Sequence, residues 1–185
     1  MLVITFLLTV LIDLTVAVQV GVVFSALIFI RRMSEISNVG VITRELNDDK
    51  DEIADPNSIR IREVPDGVEV FEIQGPFFFG AVDAFRNAVS LVEKKKPVII
   101  LRLRNVPVID ATGLHVLRQF HHDCVKDGTA LVLSGVHAQP LTVFKSSGLW
   151  DQIGEENLFV NIDDALNRAR QILSLPPQSV PRASQ

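Results

Sequence analysis

Apolar positions fall into distinct regimes along the chain. From Leu2 to Ile30 they are nearly continuous, broken by a single charge, Asp13, and a single glycine, Gly21. Residues 33–57 lose that run and turn acidic, with "NDDKDEIADPN" closing on a Pro-Asn turn signal, so this stretch reads as a linker. Residues 58–173 carry the alternations of a folded domain. The last stretch, 174–185, is rich in Pro and Ser and is expected to be disordered.

Within 58–173, "SIRIREV" and "GVEVFEIQG" each alternate with period two around Pro65-Asp66-Gly67, which predicts a β-hairpin. "AVDAFRNAVSLVEKKK" sets Val82, Phe85, Val89 and Val92 at helical spacing and ends in lysines that suit a helix C-terminus. Pro97 stops it, and "VIILRL" follows as a buried strand. The next helix, "GLHVLRQFHHDCVKDG", puts Leu114, Leu117, Phe120 and Cys124 on one face and stops at Gly128. After it come a strand at "TALVLSGV", a helix at "QPLTVFKSSG" capped by Gly148, and a short strand at "LFV". A last helix at "DDALNRARQIL" has Asp163 as its N-cap. Strand–helix alternation with short connections implies an α/β fold, with parallel neighbours in the sheet and helices packed on it.

The apolar start is a different object. No basic residue precedes it, and it is longer than the ~7–15 apolar residues of a signal peptide. Leu14 to Ile30 gives about 25 Å of helix at ~1.5 Å per residue, the low end for a ~30 Å hydrocarbon core. Met1–Ile12 is too short to cross by itself. Residues 1–32 therefore read as transmembrane segment or segments, either one tilted helix or two pieces turning near Asp13-Leu14-Thr15. A buried core helix of a soluble protein is the alternative. Arg31 and Arg32, directly after the run, orient the following domain to the cytoplasmic side.

Charge narrows the partners. The chain carries a formal charge of −4, and residues beyond Arg32 carry −5, so phosphate-rich nucleic acid is not an expected partner. A single cysteine, Cys124, excludes an intramolecular disulfide and fits a reducing compartment. No metal site is expected, because His115, His121 and His122 share a helix without a second ligand cluster. There is no GxGxxG, Walker A, GxSxG or CxxC pattern, and the acidic pairs lie in loops or caps, so neither an enzyme site nor a cofactor is expected.

Two stretches remain. In "GPFFFGAVDAF", Phe77, Phe78 and Phe79 either drop rings into the core at a bend or form an exposed docking surface. In "VPVIDATGLHVL", a strand ends and Asp110 or Thr112 caps a helix. The same helix N-terminus suits an anion or a phosphorylated Thr112, so Asp110, Thr112, Gly113 and Leu114 form a candidate regulatory site.

These two motifs, in this order, resemble the STAS domain at the cytoplasmic end of SulP-type anion transporters. "TFLLTVLIDLTVAVQVGVVFSALIFIRRMSEIS" resembles the last membrane portion of bacterial SulP permeases. The resemblance implies a mixed β-sheet covered by helices, a secondary active transporter of sulfate or related anions, and a homodimer in the inner or plasma membrane. It also implies partners in membrane lipid, the rest of the transporter and a regulatory protein. On this resemblance Met1 falls inside the second-to-last span, so the chain is expected to be a C-terminal portion that transports nothing alone. STAS domains of anti-sigma-factor antagonists carry a phosphorylated Ser or Thr at the position of Thr112, which is the alternative function. Asp110, Gly113 and Leu114 agree with that pattern, whereas Ala111 and His115 depart from it and favour the transporter branch.

Overall fold

The computed structural model describes residues 6, 13–36, 38–41, 62–90 and 96–178. The chain divides into two compact units, Met1–Ile36 and Ser37–Gln185.

The first unit contains helix α1, Leu14–Ile36. Asp13 caps it: the Asp13 carboxylate accepts from the Thr15 amide at 3.0 Å and its carbonyl accepts from Ala17. The lone acid in the apolar run is thus explained by helix initiation. At about 100° per residue, Val22, Val23, Phe24 and Leu27 point to different sides, and all four are exposed. A helix that is apolar all round has no polar face to give to water. Among the described residues no helix is long and apolar enough to cross a membrane by itself. The side chains of Arg31 and Arg32 lie outside the described residues.

The second unit is a five-stranded mixed sheet, ordered β1-β2-β3-β4-β5. Its strands are β1 (Asn38–Val41), β2 (Val68–Gln74), β3 (Val98–Asn105), β4 (Ala130–Ser134) and β5 (Leu158–Phe159). β1 runs antiparallel to β2, and the other neighbours are parallel. The helices are α2 (Phe79–Ser90), α3 (Ala111–Asp127), α4 (Ala138–Ser146), α5 (Leu149–Ile153) and α6 (Ile162–Ile172).

Strand parity distributes the core. Phe71, Ile73, Leu101, Leu103, Leu131 and Leu133 face one side, where α2, α3, α4 and α5 pack. Val68, Val70, Val98, Ile100 and Val132 face the other, covered by Ile162, Ala165, Leu166 and Ala169 of α6. With both faces covered, the central strands read as apolar runs, as parallel strands do. Four phenylalanines knit the first side edge to face, with Phe85 5.0 Å from Phe120 and 5.8 Å from Phe77 between ring centres.

Several expectations are corrected. The antiparallel neighbour of β2 is Asn38–Val41, which lies in the stretch read as linker, and Arg62–Pro65 forms no strand. The rest of "SIRIREV", like Val92 and the lysines before Lys96, lies outside the described residues. The N-cap of α6 is Asn161, not Asp163: its side chain accepts from the Asp164 amide, while Asp163 takes an ion pair from Arg62. Gly148 does not end α4, which Ser147 caps; it stands before α5, a helix not foreseen. At the start of the tail, the Leu175 amide donates to the Arg170 carbonyl at 2.8 Å and the Gln178 amide to the Asn167 side chain at 3.0 Å.

Candidate functional site

The carboxyl ends of the parallel strands gather the sequence-predicted residues and several others. β3 ends at Asn105, and Val106–Ile109 leads directly into α3. Phe77 enters this junction from β2: its amide donates to the Val108 carbonyl at 3.0 Å, and it bridges Ile109 in parallel register.

Asp110 is the N-cap of α3. Its carboxylate accepts from the Gly113 amide at 2.7 Å, and its extended backbone lets its carbonyl take the Leu114 amide. Thr112 sits exposed in the first turn, and Leu114 is half-buried. Gly113 is buried because α3 starts against Phe77. A Cβ at Gly113 would lie 2.8 Å from the Phe77 ring and 2.9 Å from Ile109 Cγ1, with the Phe77 carbonyl oxygen closer still. The candidate residues therefore share one turn, in different roles: a cap, an exposed hydroxyl, and a close-packing glycine.

Electrostatically, Asp110 already fills one free donor of the helix end. An incoming anion meets that carboxylate as well as the favourable dipole. What the turn presents at the surface is the Thr112 side chain. Phe77 is withdrawn from the proposed docking surface, since it is fully buried among Phe85, Ile109 and their neighbours. Phe78 is half-buried, and the side chain of Phe79 lies outside the described residues.

The sequence reading missed the clamp on this loop. Gln139, at the start of α4, accepts from the Ile109 amide at 2.9 Å and donates to the Ile109 carbonyl at 3.3 Å. It satisfies both polar groups of one loop residue, and no local pattern announces it. Also missed were the charges inside β3. Arg102 and Glu72 are register partners on the α6 side, both buried, and pair at 3.3 Å, while Asn105 donates to the other Glu72 oxygen at 3.1 Å. Their signal was period-two charge in an otherwise apolar run, as in "VIILRLRN".

Cys124, on the buried face of α3, has its thiol pushed up to about 12 by burial, helped by Asp123 and Asp127. It packs in the core on that face. His121 is held below the usual histidine value by burial first and by neighbouring His122 second.

Comparison with known proteins falls on the same region. The family model described as the STAS domain matches residues 60–165. The putative sulfate transporter YvdB of Bacillus subtilis is 31% identical over 161 residues, covering 86% of this chain and 28% of that protein. The bicarbonate transporter BicA of Synechocystis is 27% identical over 172 residues, covering 92% of this chain and 30% of that protein. A crystal structure of a sulfate transporter family protein from Wolinella succinogenes superposes with a TM-score of 0.62 at 43% identity, covering 65% of this chain and 99% of that one. The chain spans less than a third of the length of the two curated relatives.

Proposed function

The chain belongs to the STAS domain family, in its SulP-type sulfate transporter branch, and from that premise we propose that it is the membrane-attached STAS portion of a secondary active anion transporter. The STAS domain works by contact, in assembly, trafficking or gating of the membrane part, and performs no catalysis. The observation that carries this reading is the union in one chain of the STAS sheet with a helix that is apolar on every side. Such a helix is at home in lipid or against other membrane helices. Together with the apolar residues before Asp13, α1 supplies the membrane attachment, and Arg31 and Arg32 keep the STAS domain cytoplasmic.

The partners follow. They are lipid, the remaining membrane spans, a second copy of the chain in a homodimer, and a regulatory protein that reads the turn at Asp110–Leu114. Sulfate or a related small anion is the cargo of the whole transporter, in keeping with the names of its relatives. Transport sites near the bilayer midplane need both structural repeats facing each other, so this chain alone moves no anion.

The test is reconstitution in trans. A SulP-type membrane domain deprived of its own STAS portion is expressed with and without this full chain, and sulfate uptake and co-purification are measured. The expected result is association together with a change in uptake, and no uptake from the chain alone. Absence of both association and any effect on uptake contradicts the reading.

Exposure of Thr112 in the first turn of α3 favours a subsidiary role, as a phosphoacceptor for the regulator. Phosphate mapping by mass spectrometry in the native host is expected to find it there. Loss of the regulator's effect in Thr112→Val, with binding to the membrane domain kept, separates this role from assembly.

A further inference from the structure

A cavity of about 580 Å³ opens on the outer face of α3, beside Gln152 of α5. Helical spacing builds it. His115, Arg118, His122 and Val125 recur at steps of three and four residues, so they share one side of α3, opposite the buried Val116, Leu117, Phe120 and Cys124.

The charge of this cavity is unbalanced. Arg118 is half-buried and meets no carboxylate among the described residues. Its Nη2 donates to the neutral Ser147 carbonyl at 2.9 Å, which holds the guanidinium against the end of α4. Its Nε is buried without a hydrogen-bond partner. A half-buried cation with neither a counter-charge nor its full set of acceptors costs free energy unless an acceptor joins it.

The other lining groups do not supply that acceptor as a charge. They include three imidazoles, His115, His121 and His122, and no carboxylate. Asp123, on the same helix, already accepts from the Gln119 amide at 3.1 Å. Burial first and the charge of His122 second hold His121 below its usual value, so positive charge is crowded here and an anion relieves it.

Size and spacing define the ligand. A water takes ~30 Å³ of liquid, so a lone tetrahedral oxyanion leaves most of this cavity empty, while small organic ligands fill cavities of ~300–1,000 Å³. His115 and His122 are about 10 Å apart along the axis of α3, with Arg118 between them. Donors spread over that length suit more than one acidic group on one skeleton. Val125, 62% exposed, offers that skeleton an apolar contact.

We propose that this face of α3 binds a small organic anion carrying two or three carboxylates. Arg118 takes one carboxylate through its planar fork, and the imidazoles take the others. This assignment does not rest on the transporter reading, since it concerns binding to the chain alone.

Calorimetric titration of the full chain in detergent with citrate, succinate and sulfate tests it, at pH 6.5 and at constant ionic strength set with chloride. Saturable binding of citrate or succinate is expected, with sulfate weaker by at least about tenfold, or ~1.4 kcal/mol. Arg118→Gln weakens the binding by a similar factor, and His122→Gln by severalfold. Arg168→Gln, the same charge change on α6, leaves it unaltered. Circular dichroism confirms the fold of each variant, and Arg118→Lys replaces Arg118→Gln if the latter does not fold, with weakened but measurable binding expected. No saturable binding of either carboxylate overturns the proposal. So does sulfate binding as tightly as they do, or carboxylate binding that survives unchanged in the folded Arg118 and His122 variants.

Discussion

Gly113 and Asp110 show how neighbouring residues in one turn answer to different physics. Gly113→Ala forces a methyl into Phe77 and Ile109, an overpacking that costs about 1–3 kcal/mol in a chemical-denaturation experiment. Asp110→Ala removes the bond to the Gly113 amide and costs about 0.5–2 kcal/mol. Equal stability of the Gly113 variant and the parent contradicts the packing described. The cap was legible in the sequence, because capping is local and Asp precedes the helical pattern by one position. The requirement at Gly113 was not, since it is set by Phe77, on another segment. Cys124 gives a pH signature. Its folded-state thiol, near 12, lies above its ordinary value of 9.0, so the folded state holds its proton more tightly. That contribution to stability is fully present below about pH 9 and is lost as pH rises from 9.0 towards about 12. As the only cysteine, it is expected to resist a thiol reagent at pH 8 in the native chain and to react on unfolding. Fast labelling of the native chain contradicts its burial.

Elements were readable where one periodicity ran long enough. α3, β3 and β4 announced themselves through apolar spacing and a closing glycine or proline. The "NVGV" of β1 did not, because four residues beside an acidic stretch carry almost no pattern and their partner is distant in sequence. The cap of α6 was ambiguous for a local reason: Asn161, Asp163 and Asp164 are all good cap residues, and the end of β5 decides among them. The charges within β2 and β3 are the sharper lesson, since apolar-run reasoning passes over them. Glu72→Gln leaves Arg102 buried without its full counter-charge and is expected to lower unfolding free energy by about 3–5 kcal/mol. Replacing Glu72 and Arg102 together by methionine is expected to recover most of that loss. A single variant as stable as the parent contradicts the pairing.

The molecule as a whole joins two units with different solvents in view. The STAS unit hides its apolar residues on both sides of the sheet, and α1 displays its own in every direction. Sequence gave the contrast between these units through composition alone, and the motifs at Phe77 and Asp110 supplied the family. It did not supply the clamp of Gln139 on Ile109, two segments brought together only by the fold. Under the proposed function the apolar segment attaches this domain to a membrane. The most direct measurement is alkaline carbonate extraction of membranes from cells expressing the full chain. The chain is expected to stay in the membrane pellet, and a variant with Val18, Val22, Val23 and Leu27 changed to Ser is expected to be released. Recovery of the unaltered chain in the carbonate supernatant contradicts the account.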